Sequence, residues 1–226
     1  MPSFRYELRC EAQGGLRVAG IDEAGRGPLA GPVVAAVAVI DRTAAKRKLL
    51  KLIDDSKKLA LENREEAYAA MVASGLVQFA VAEASVEEID SINILQATFL
   101  AMRRALEALA HQPDIVLPDV VLIDGNQVPP RLACRAETIV DGDAHSYSIA
   151  AASIFAKVTR DRYMAKLAEA FPGYGWERNR GYGSREHLDA LDRLGLTPHH
   201  RTSFAPVRAR RAGTASAPQD EALTDG

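Results

Sequence analysis

The sequence is poor in cysteine and has no long hydrophobic segment. Cys10 and Cys134 are the only two cysteines among 226 residues, and neither belongs to a C-x-x-C pair. This usage argues against a disulfide framework and a thiolate zinc site and is typical of a reducing compartment. The longest apolar run, Val33 to Ile40, is too short to span a bilayer, and Met1 to Gly15 contains no apolar core of a secretory signal. We therefore expect a cytoplasmic protein with no membrane partner.

The common phosphate-binding loops are also missing. No G-x-x-x-x-G-K-[ST] sequence occurs, which argues against a P-loop ATPase. The stretch Gly25-x-Gly27-x-x-x-Gly31 departs from the G-x-G-x-x-G spacing of a dinucleotide loop, and the preceding Asp22 and Glu23 would repel a pyrophosphate. Two interpretations of this stretch remain: a hairpin with solvated acids at its tip, or a metal site at the end of a strand.

The composition is that of a globular enzyme-sized domain. Hydrophobic residues make up 47% and charged residues 26% of the chain, which is enough for one well-buried core. We expect a single catalytic domain over residues 1–207, in which about 160–207 form a helical substrate-binding part. After Pro206 the hydrophobic periodicity ends, so residues 208–226 are predicted to be a disordered tail.

The formal net charge of −2 conceals an uneven distribution. Between Lys157 and Arg211 there are 12 Lys or Arg residues against six Asp or Glu residues. A basic region attracts polyanions over a long range, and this effect is strongest for nucleic acids. The alternative is an ordinary solvated helical surface.

Hydrophobic patterning predicts strands and helices in alternation. Strands are predicted at 16–22, 33–40, 76–84, 120–123 and 138–140, with Phe4 to Glu11 as a further edge strand. Helices are predicted at about 60–74, after Ser85, at about 93–111, from Ser146 or Ser148 to about 170, and from 184 to 194. This order indicates an α/β protein with a mixed sheet and helices on both of its faces.

Acidic residues follow three of the predicted strands. Asp22 and Glu23 end the first strand, Asp124 follows the strand at 120–123, and Asp141 or Asp143 follows the last one. Because sites in open α/β sheets form at the carboxyl ends of strands, we expect these acids to lie near one another. Carboxylate oxygens are the ligands that Mg²⁺ and Mn²⁺ prefer, and two such ions can hold a phosphodiester for in-line displacement.

Six segments together resemble the type 2 ribonucleases H, the ribonuclease HII family, over about residues 18–207. They are Gly20-Ile21-Asp22-Glu23-Ala24-Gly25-Arg26-Gly27-Pro28, Asp55-Ser56-Lys57-Lys58-Leu59, Leu122-Ile123-Asp124-Gly125-Asn126, Gly142-Asp143 with the Ser148 to Val158 segment, Gly181-Tyr182-Gly183-Ser184-Arg185-Glu186-His187, and Thr197-Pro198-His199-His200-Arg201-x-Ser203-Phe204. Each is moderately specific alone, and their common order and spacing make the resemblance specific.

The resemblance implies a ribonuclease-H-like fold: a mixed five-stranded sheet flanked by helices on both faces, with a small C-terminal helical extension. It implies a site of four acids, Asp22, Glu23, Asp124 and Asp143, and so favours Asp143 over Asp141. It also implies a Mg²⁺- or Mn²⁺-dependent endonuclease, with a two-ion site. The expected substrates are RNA/DNA hybrids and duplex DNA with embedded ribonucleotides, cut 5′ of the ribonucleotide to leave 5′-phosphate and 3′-hydroxyl ends.

Further roles also come from the resemblance. The Gly25-Arg26-Gly27 turn is expected in the minor groove, where it senses the ribose 2′-hydroxyl, and Tyr182 is expected to pack on the sugar at an RNA–DNA junction. Lys57, Lys58 and Asn93 match positions that contact phosphate in the family, although single residues of these types are more often solvated or capping. We expect a monomer. The alternatives are another nuclease of the same fold that acts on DNA structures, and a catalytically silent nucleic-acid-binding module.

Overall fold

A five-stranded mixed sheet in the order β3-β2-β1-β4-β5 forms the centre of the protein. The computed structural model describes residues 1–15, 17–113 and 115–214. The strands are β1 (Val18–Ala24), β2 (Val33–Ile40), β3 (Val77–Ala84), β4 (Val120–Asp124) and β5 (Arg135–Ile139). Strands β1, β2 and β3 pair antiparallel, whereas β4 is parallel to both β1 and β5. The predicted mixed five-stranded sheet is confirmed.

Eight α-helices surround this sheet in the described part of the chain. They are α1 (Arg5–Ala12), α2 (Arg47–Leu50), α3 (Leu61–Ser74), α4 (Val86–Ala110), α5 (Tyr147–Ala170), α6 (Trp176–Asn179), α7 (Arg185–Leu194) and α8 (Ala205–Thr214), and a 3₁₀ turn covers Gly142–Ala144. None of these helices combines the length and the apolar character that a membrane span requires.

The alternation of side chains along β2 divides the core into two layers. All eight residues of this strand are buried. Val33, Ala35 and Val37 join one buried cluster with side chains of α4, whereas Ala36 and Ala38 join another with side chains of α5. Because successive residues of a strand point to opposite faces, the two clusters lie on opposite sides of the sheet. Helices therefore cover both faces of the sheet, as expected.

Helix α5 approaches β1 very closely because Gly20 has no side chain. A Cβ atom at Gly20 would overlap the backbone of Ser148 and Ile149 in the first turn of α5. The start of α5 is fixed by Ser146, whose hydroxyl accepts the Ile149 N–H as an N-cap. This close contact holds α5 against the strand that carries Asp22.

Two sequence-based assignments are wrong. The segment from Phe4 to Glu11 is helical (α1) instead of an edge strand, because Glu7 and Cys10, three residues apart, both turn into the protein. The predicted disorder from Arg208 onward does not hold for residues 208–214, which belong to α8. This helix is anchored by the fully buried Val207 and by an ion pair between Arg210 and Asp192. Residues 215–226 lie outside the described part.

Candidate active site

The end of β1 places Asp22 in a buried position beside a second acid. Asp22 is 4% exposed, and its Oδ1 atom accepts the Glu23 N–H at 2.7 Å. Burial raises the pKa of Asp22 well above its ordinary value, and the negative charges of Glu23 and Asp124 raise it further. The pKa of Glu23 is also raised by burial, against the opposing effect of Arg26. A bound cation would stabilise the charged form of both acids.

Asp124 reaches the same edge of the sheet from the neighbouring strand. Strands β1 and β4 are parallel and pair Ile21 with Ile123. The next residues along the two strands, Asp22 and Asp124, therefore lie near the same edge of the sheet. The Oδ1 atom of Asp124 accepts the Gly142 N–H at 2.7 Å. This hydrogen bond ties the end of β4 to the 3₁₀ turn that carries the fourth predicted acid.

Of the two acids on that turn, only Asp143 is directed inward. Asp143 is 2% exposed, and Lys57 Nζ donates to its Oδ2 atom at 3.2 Å. Burial raises the pKa of Asp143, while the charge of Lys57 opposes that change. Asp141 is exposed and caps the turn with a left-handed backbone, φ 53°. The structure thus places Asp143, and not Asp141, against Lys57.

One cavity of about 230 Å³ brings most of the predicted site together. Its lining residues are Asp22, Glu23, Ala24, Gly25, Arg26, Gly27, Ser56, Lys57, Asp124, Ser153, Lys157 and Tyr182. Asp143 is not among them and meets the cavity through Lys57. Three acids, the glycine-rich turn and the tyrosine therefore share one space, although they come from distant parts of the sequence.

The turn and the tyrosine lie side by side in this cavity. Gly25 has a φ of 98°, a conformation that favours glycine. A Cβ atom at Gly27 would lie 3.5 Å from the Tyr182 ring, and that side chain is 48% exposed. Arg26 Nη1 donates to Glu23 Oε1 at 3.3 Å, which turns the arginine toward the acids. An exposed aromatic ring beside backbone without side chains is a suitable surface for the apolar face of a sugar.

Two predicted phosphate contacts lie outside the cavity lining. Lys58 is paired with Asp55 at 3.3 Å. Asn93 interrupts α4 with a φ of 67°, and its Oδ1 atom accepts the N–H groups of Leu95 and Gln96. Asn93 therefore caps the second part of the helix.

Lys57, in contrast, lines the cavity. Burial alone would lower the pKa of Lys57, but the surrounding acids, Asp143 first, raise it overall. This lysine is therefore a charged group within reach of both the acids and a phosphate in the cavity.

The donor set fits a hard divalent cation, but the acids do not form a ready-made metal cage. Among the described residues, no group of three or more His, Cys, Asp or Glu side chains is placed to hold a metal ion. Mg²⁺ commonly keeps several waters and binds one or two carboxylates plus phosphate oxygens of the substrate. In the described part of the chain, Asp22 and Asp124 have no cationic partner within ion-pair distance, whereas Glu23 and Asp143 do. The acids thus fit a cation that the substrate helps to bind.

Sequence reasoning missed several residues that support the site. Ser56 and Ser153 line the cavity and share a hydrogen bond of 2.7 Å between their hydroxyl groups. Arg160, in the middle of α5, is 1% exposed, and Arg201 is fully buried. Ser153 could have been recognised as a hydroxyl within an otherwise apolar helix. No sequence signal marked the two arginines as buried, because charged side chains are normally exposed.

Several basic side chains of the C-terminal region are buried or paired with acids, so fewer of them are available to bind phosphate than the composition suggests. Arg162 pairs with Glu65, Arg178 with Glu177, and Arg210 with Asp192, so these three arginines are engaged with acids of the protein itself. Because Arg160 and Arg201 are buried, the region contains both buried arginines and surface ion pairs.

Comparisons with known proteins agree with this arrangement. The family model for ribonuclease HII matches residues 19–207. A ribonuclease HII of Rhodospirillum rubrum is 59% identical over 215 residues, covering 95% of this chain and 94% of the relative. One from Paramagnetospirillum magneticum is 57% identical over 207 residues, covering 92% of this chain and 97% of the relative.

Solved structures show the same fold. The ribonuclease H2 of Pyrococcus horikoshii superposes with a TM-score of 0.71 at 27% identity, covering 89% of this chain and 100% of that chain. A Bst-RNase HIII in complex with Mn²⁺ superposes with a TM-score of 0.70 at 22% identity, covering 87% of this chain and 69% of that one, which concerns the fold alone. This chain belongs to the ribonuclease HII family and is a ribonuclease H that acts on RNA/DNA hybrids.

Proposed function

We propose that this ribonuclease H is a divalent-metal-dependent endonuclease that also incises duplex DNA on the 5′ side of single embedded ribonucleotides. Cleavage leaves 5′-phosphate and 3′-hydroxyl ends. The proposed ligands of Mg²⁺ or Mn²⁺ are Asp22, Glu23, Asp124 and Asp143, in a two-ion site. The enzyme acts as a monomer in the cytoplasm.

The observation that carries the proposal is the shared cavity, in which Asp22, Glu23 and Asp124 lie beside Gly25–Gly27 and Tyr182. When bound, the cations supply an activated water and stabilise the negative charge of the leaving oxygen. The buried acids supply oxygen ligands; burial raises the pKa values of Asp22 and Glu23, and the neighbouring acids raise that of Asp22 further. The acids attract a cation and repel the phosphate anion, so the scissile phosphate requires the metal in order to bind beside them.

The other cavity residues supply selectivity. The 2′-hydroxyl distinguishes RNA from DNA and lies in the shallow minor groove of a hybrid. The Gly25–Gly27 backbone has no Cβ at its glycines and can approach that groove closely. Tyr182 presents an exposed ring to the deoxyribose on the DNA side of a junction, where no hydroxyl interferes with packing. Lys57, 75% exposed at its side chain, can release Asp143 and contact phosphate instead.

A cleavage assay with a matched pair of variants tests the proposal. The substrates are a duplex with one ribonucleotide, an RNA/DNA hybrid and an all-DNA duplex, each with Mg²⁺, Mn²⁺ or EDTA. Asp143→Asn is expected to lose about 10²-fold or more of the turnover, since a preorganised electrostatic contact is worth that much in other sites. Asp141→Asn, an exposed position two residues away, is expected to retain wild-type turnover.

The outcomes separate the alternatives. Cleavage of the two ribonucleotide substrates only with a divalent ion, with 5′-phosphate products, supports the proposal. Cleavage of hybrids without incision at single ribonucleotides contradicts the proposed embedded-ribonucleotide activity. Cleavage of all-DNA junctions favours a structure-specific nuclease, and binding without cleavage in any metal favours a silent binding module.

A further inference from the structure

A fully buried arginine lies beneath the glycine-rich turn, and its guanidinium donates hydrogen bonds to the carbonyl groups of that turn. The guanidinium of Arg201, at 0% exposure, donates to five carbonyl oxygens over distances of 2.6 to 3.1 Å. The acceptors are the carbonyls of Gly25, Arg26, Pro28, Gly31 and Pro32. One side chain thus holds most of the turn between β1 and β2.

Arg201 has no acidic partner within ion-pair distance in the described part of the chain. Burial lowers its pKa to about 9, so the guanidinium is still charged at neutral pH. Placing an unpaired charge in the interior is costly unless hydrogen bonds satisfy it. The cost indicates a role that an apolar side chain of similar size would not fulfil.

The contacts of Arg201 determine which way the peptide planes of the turn face. Every peptide bond in the described residues is trans, so each N–H points opposite to the C=O of the same peptide unit. Because the carbonyls of Gly25 and Arg26 point inward to Arg201, the N–H groups of Arg26 and Gly27 point outward. Neither N–H donates to an acceptor in the residues that the structure describes. Both residues are exposed and line the cavity.

We propose that Arg201 is a positioning residue for substrate selection: it orients the Arg26 and Gly27 amides as a pair of free donors toward the ribose 2′-hydroxyl and the adjacent backbone oxygens. The inference rests on the proposed function, in which this turn meets the minor groove. Arg201 itself does not contact the substrate. Its effect is to remove the competing orientation in which carbonyl oxygens, which cannot donate, would face the sugar.

A second buried arginine couples this turn to the loop of Tyr182. Arg160 donates to the carbonyls of Ala30 and Pro32 and to that of Arg180, two residues before Tyr182. A Cβ atom at Gly25 would overlap the Arg160 guanidinium, so this glycine gives the arginine its space. The donor pair and the tyrosine ring are thereby held on one rigid frame.

The test compares the binding preference of Arg201→Lys with that of the wild type. Lysine keeps the charge but has three donors, so it cannot hold five carbonyls. Affinity is measured in EDTA for a duplex with one ribonucleotide and for the all-DNA duplex of the same sequence. The Arg26 and Gly27 amides of this variant are expected to lose one or two hydrogen bonds to the substrate, each of about 1 kcal/mol. This loss predicts a roughly tenfold smaller preference for the ribonucleotide duplex. Affinity for the all-DNA duplex is expected to stay unchanged.

Arg162→Lys is the matched control, because Arg162 lies on α5 only two residues from Arg160 but is exposed and pairs with Glu65. It is expected to keep the wild-type preference. An Arg201→Lys protein that is folded by circular dichroism and keeps the wild-type preference overturns the inference. A wild type that cleaves at ribonucleotides yet binds both duplexes equally also overturns it, without touching the proposed function.

A measurement on the wild type decides the matter if Arg201→Lys does not fold. In ¹⁵N-resolved NMR spectra, the Arg26 and Gly27 amide signals are expected to shift with the ribonucleotide duplex and to shift less with the all-DNA duplex. Equal shifts with both duplexes, or no shift with either, would contradict the proposed donor role. Failure of the proposed function would instead appear as absence of any cleavage by the same protein sample.

Discussion

Acidification from about pH 7 is expected to destabilise the protein through two buried histidines, His187 and His200. Thr197 N–H donates to His200 Nδ1 at 2.9 Å, so the proton of neutral His200 lies on Nε2. Trp176 Nε1–H donates to His187 Nε2 at 3.0 Å, so neutral His187 carries its proton on Nδ1 and donates it to the Tyr182 carbonyl. His200 Nε2 then donates to His187 Nε2 at 3.1 Å. An additional proton on either ring would set two donors against each other.

The magnitude follows from the pKa of His200. Burial, and then the neighbouring His187, lower this pKa from 6.5 to about 4, and His200 is 1% exposed. The unfolded chain therefore takes up a proton below pH 6.5 while the folded protein does not, so stability falls as the pH decreases between these values. With about 1.4 kcal/mol per pKa unit, the full effect is about 3 kcal/mol, of which about 2 kcal/mol is lost by about pH 5.

The assay is urea unfolding of the wild type and His200→Asn at about pH 7.5, 6 and 5. Asparagine keeps an acceptor for the Thr197 N–H but has no titrating group. The wild-type advantage in the free energy of unfolding is expected to shrink by about 2 kcal/mol at about pH 5. Parallel pH profiles for the two proteins would refute the reasoning, as would a His200 ring signal in NMR that titrates near its ordinary pKa of 6.5.

Three further predictions concern the cavity and its frame. Asp22→Asn is expected to abolish cleavage but to raise the Tm in EDTA, because burial raises the pKa of Asp22 and its charged form is unfavourable at neutral pH; an unchanged or lower Tm would contradict this. Gly20→Ala is expected to cost more than about 3 kcal/mol of unfolding free energy, because its Cβ would overlap backbone atoms, whereas Gly27→Ala meets only ordinary contacts and should cost less than about 1 kcal/mol. Equal losses of unfolding free energy for the two glycine variants in chemical denaturation would contradict this, because they would show that α5 can move away from β1. Tyr182→Ala is expected to leave the Tm nearly unchanged and to slow junction incision more than hybrid cleavage; equal slowing in the two assays would argue against junction recognition.

Local patterns were sufficient for most of the secondary structure. The unbroken apolar run of β2 is buried on both faces, and Gly75 ends α3 in a left-handed conformation. Ser85 and Glu88 form the capping box that their spacing indicated. These features could be predicted because they depend on hydrogen bonds and burial within a few residues. The helix at residues 5–12 could not, because its short mixed sequence follows neither the helical nor the strand period clearly.

The sequence by itself determined the family, the strand-end acids and the glycine-rich turn, since each is written in a short run of residues. Only the tertiary structure decided that Asp143 faces Lys57, and that Arg160 and Arg201 turn inward. These choices join residues that are 86 to 176 positions apart. A charged side chain carries no local sign of whether a carbonyl cluster, an acid or water will surround it, because its environment is supplied by other elements once the sheet and α5 have packed.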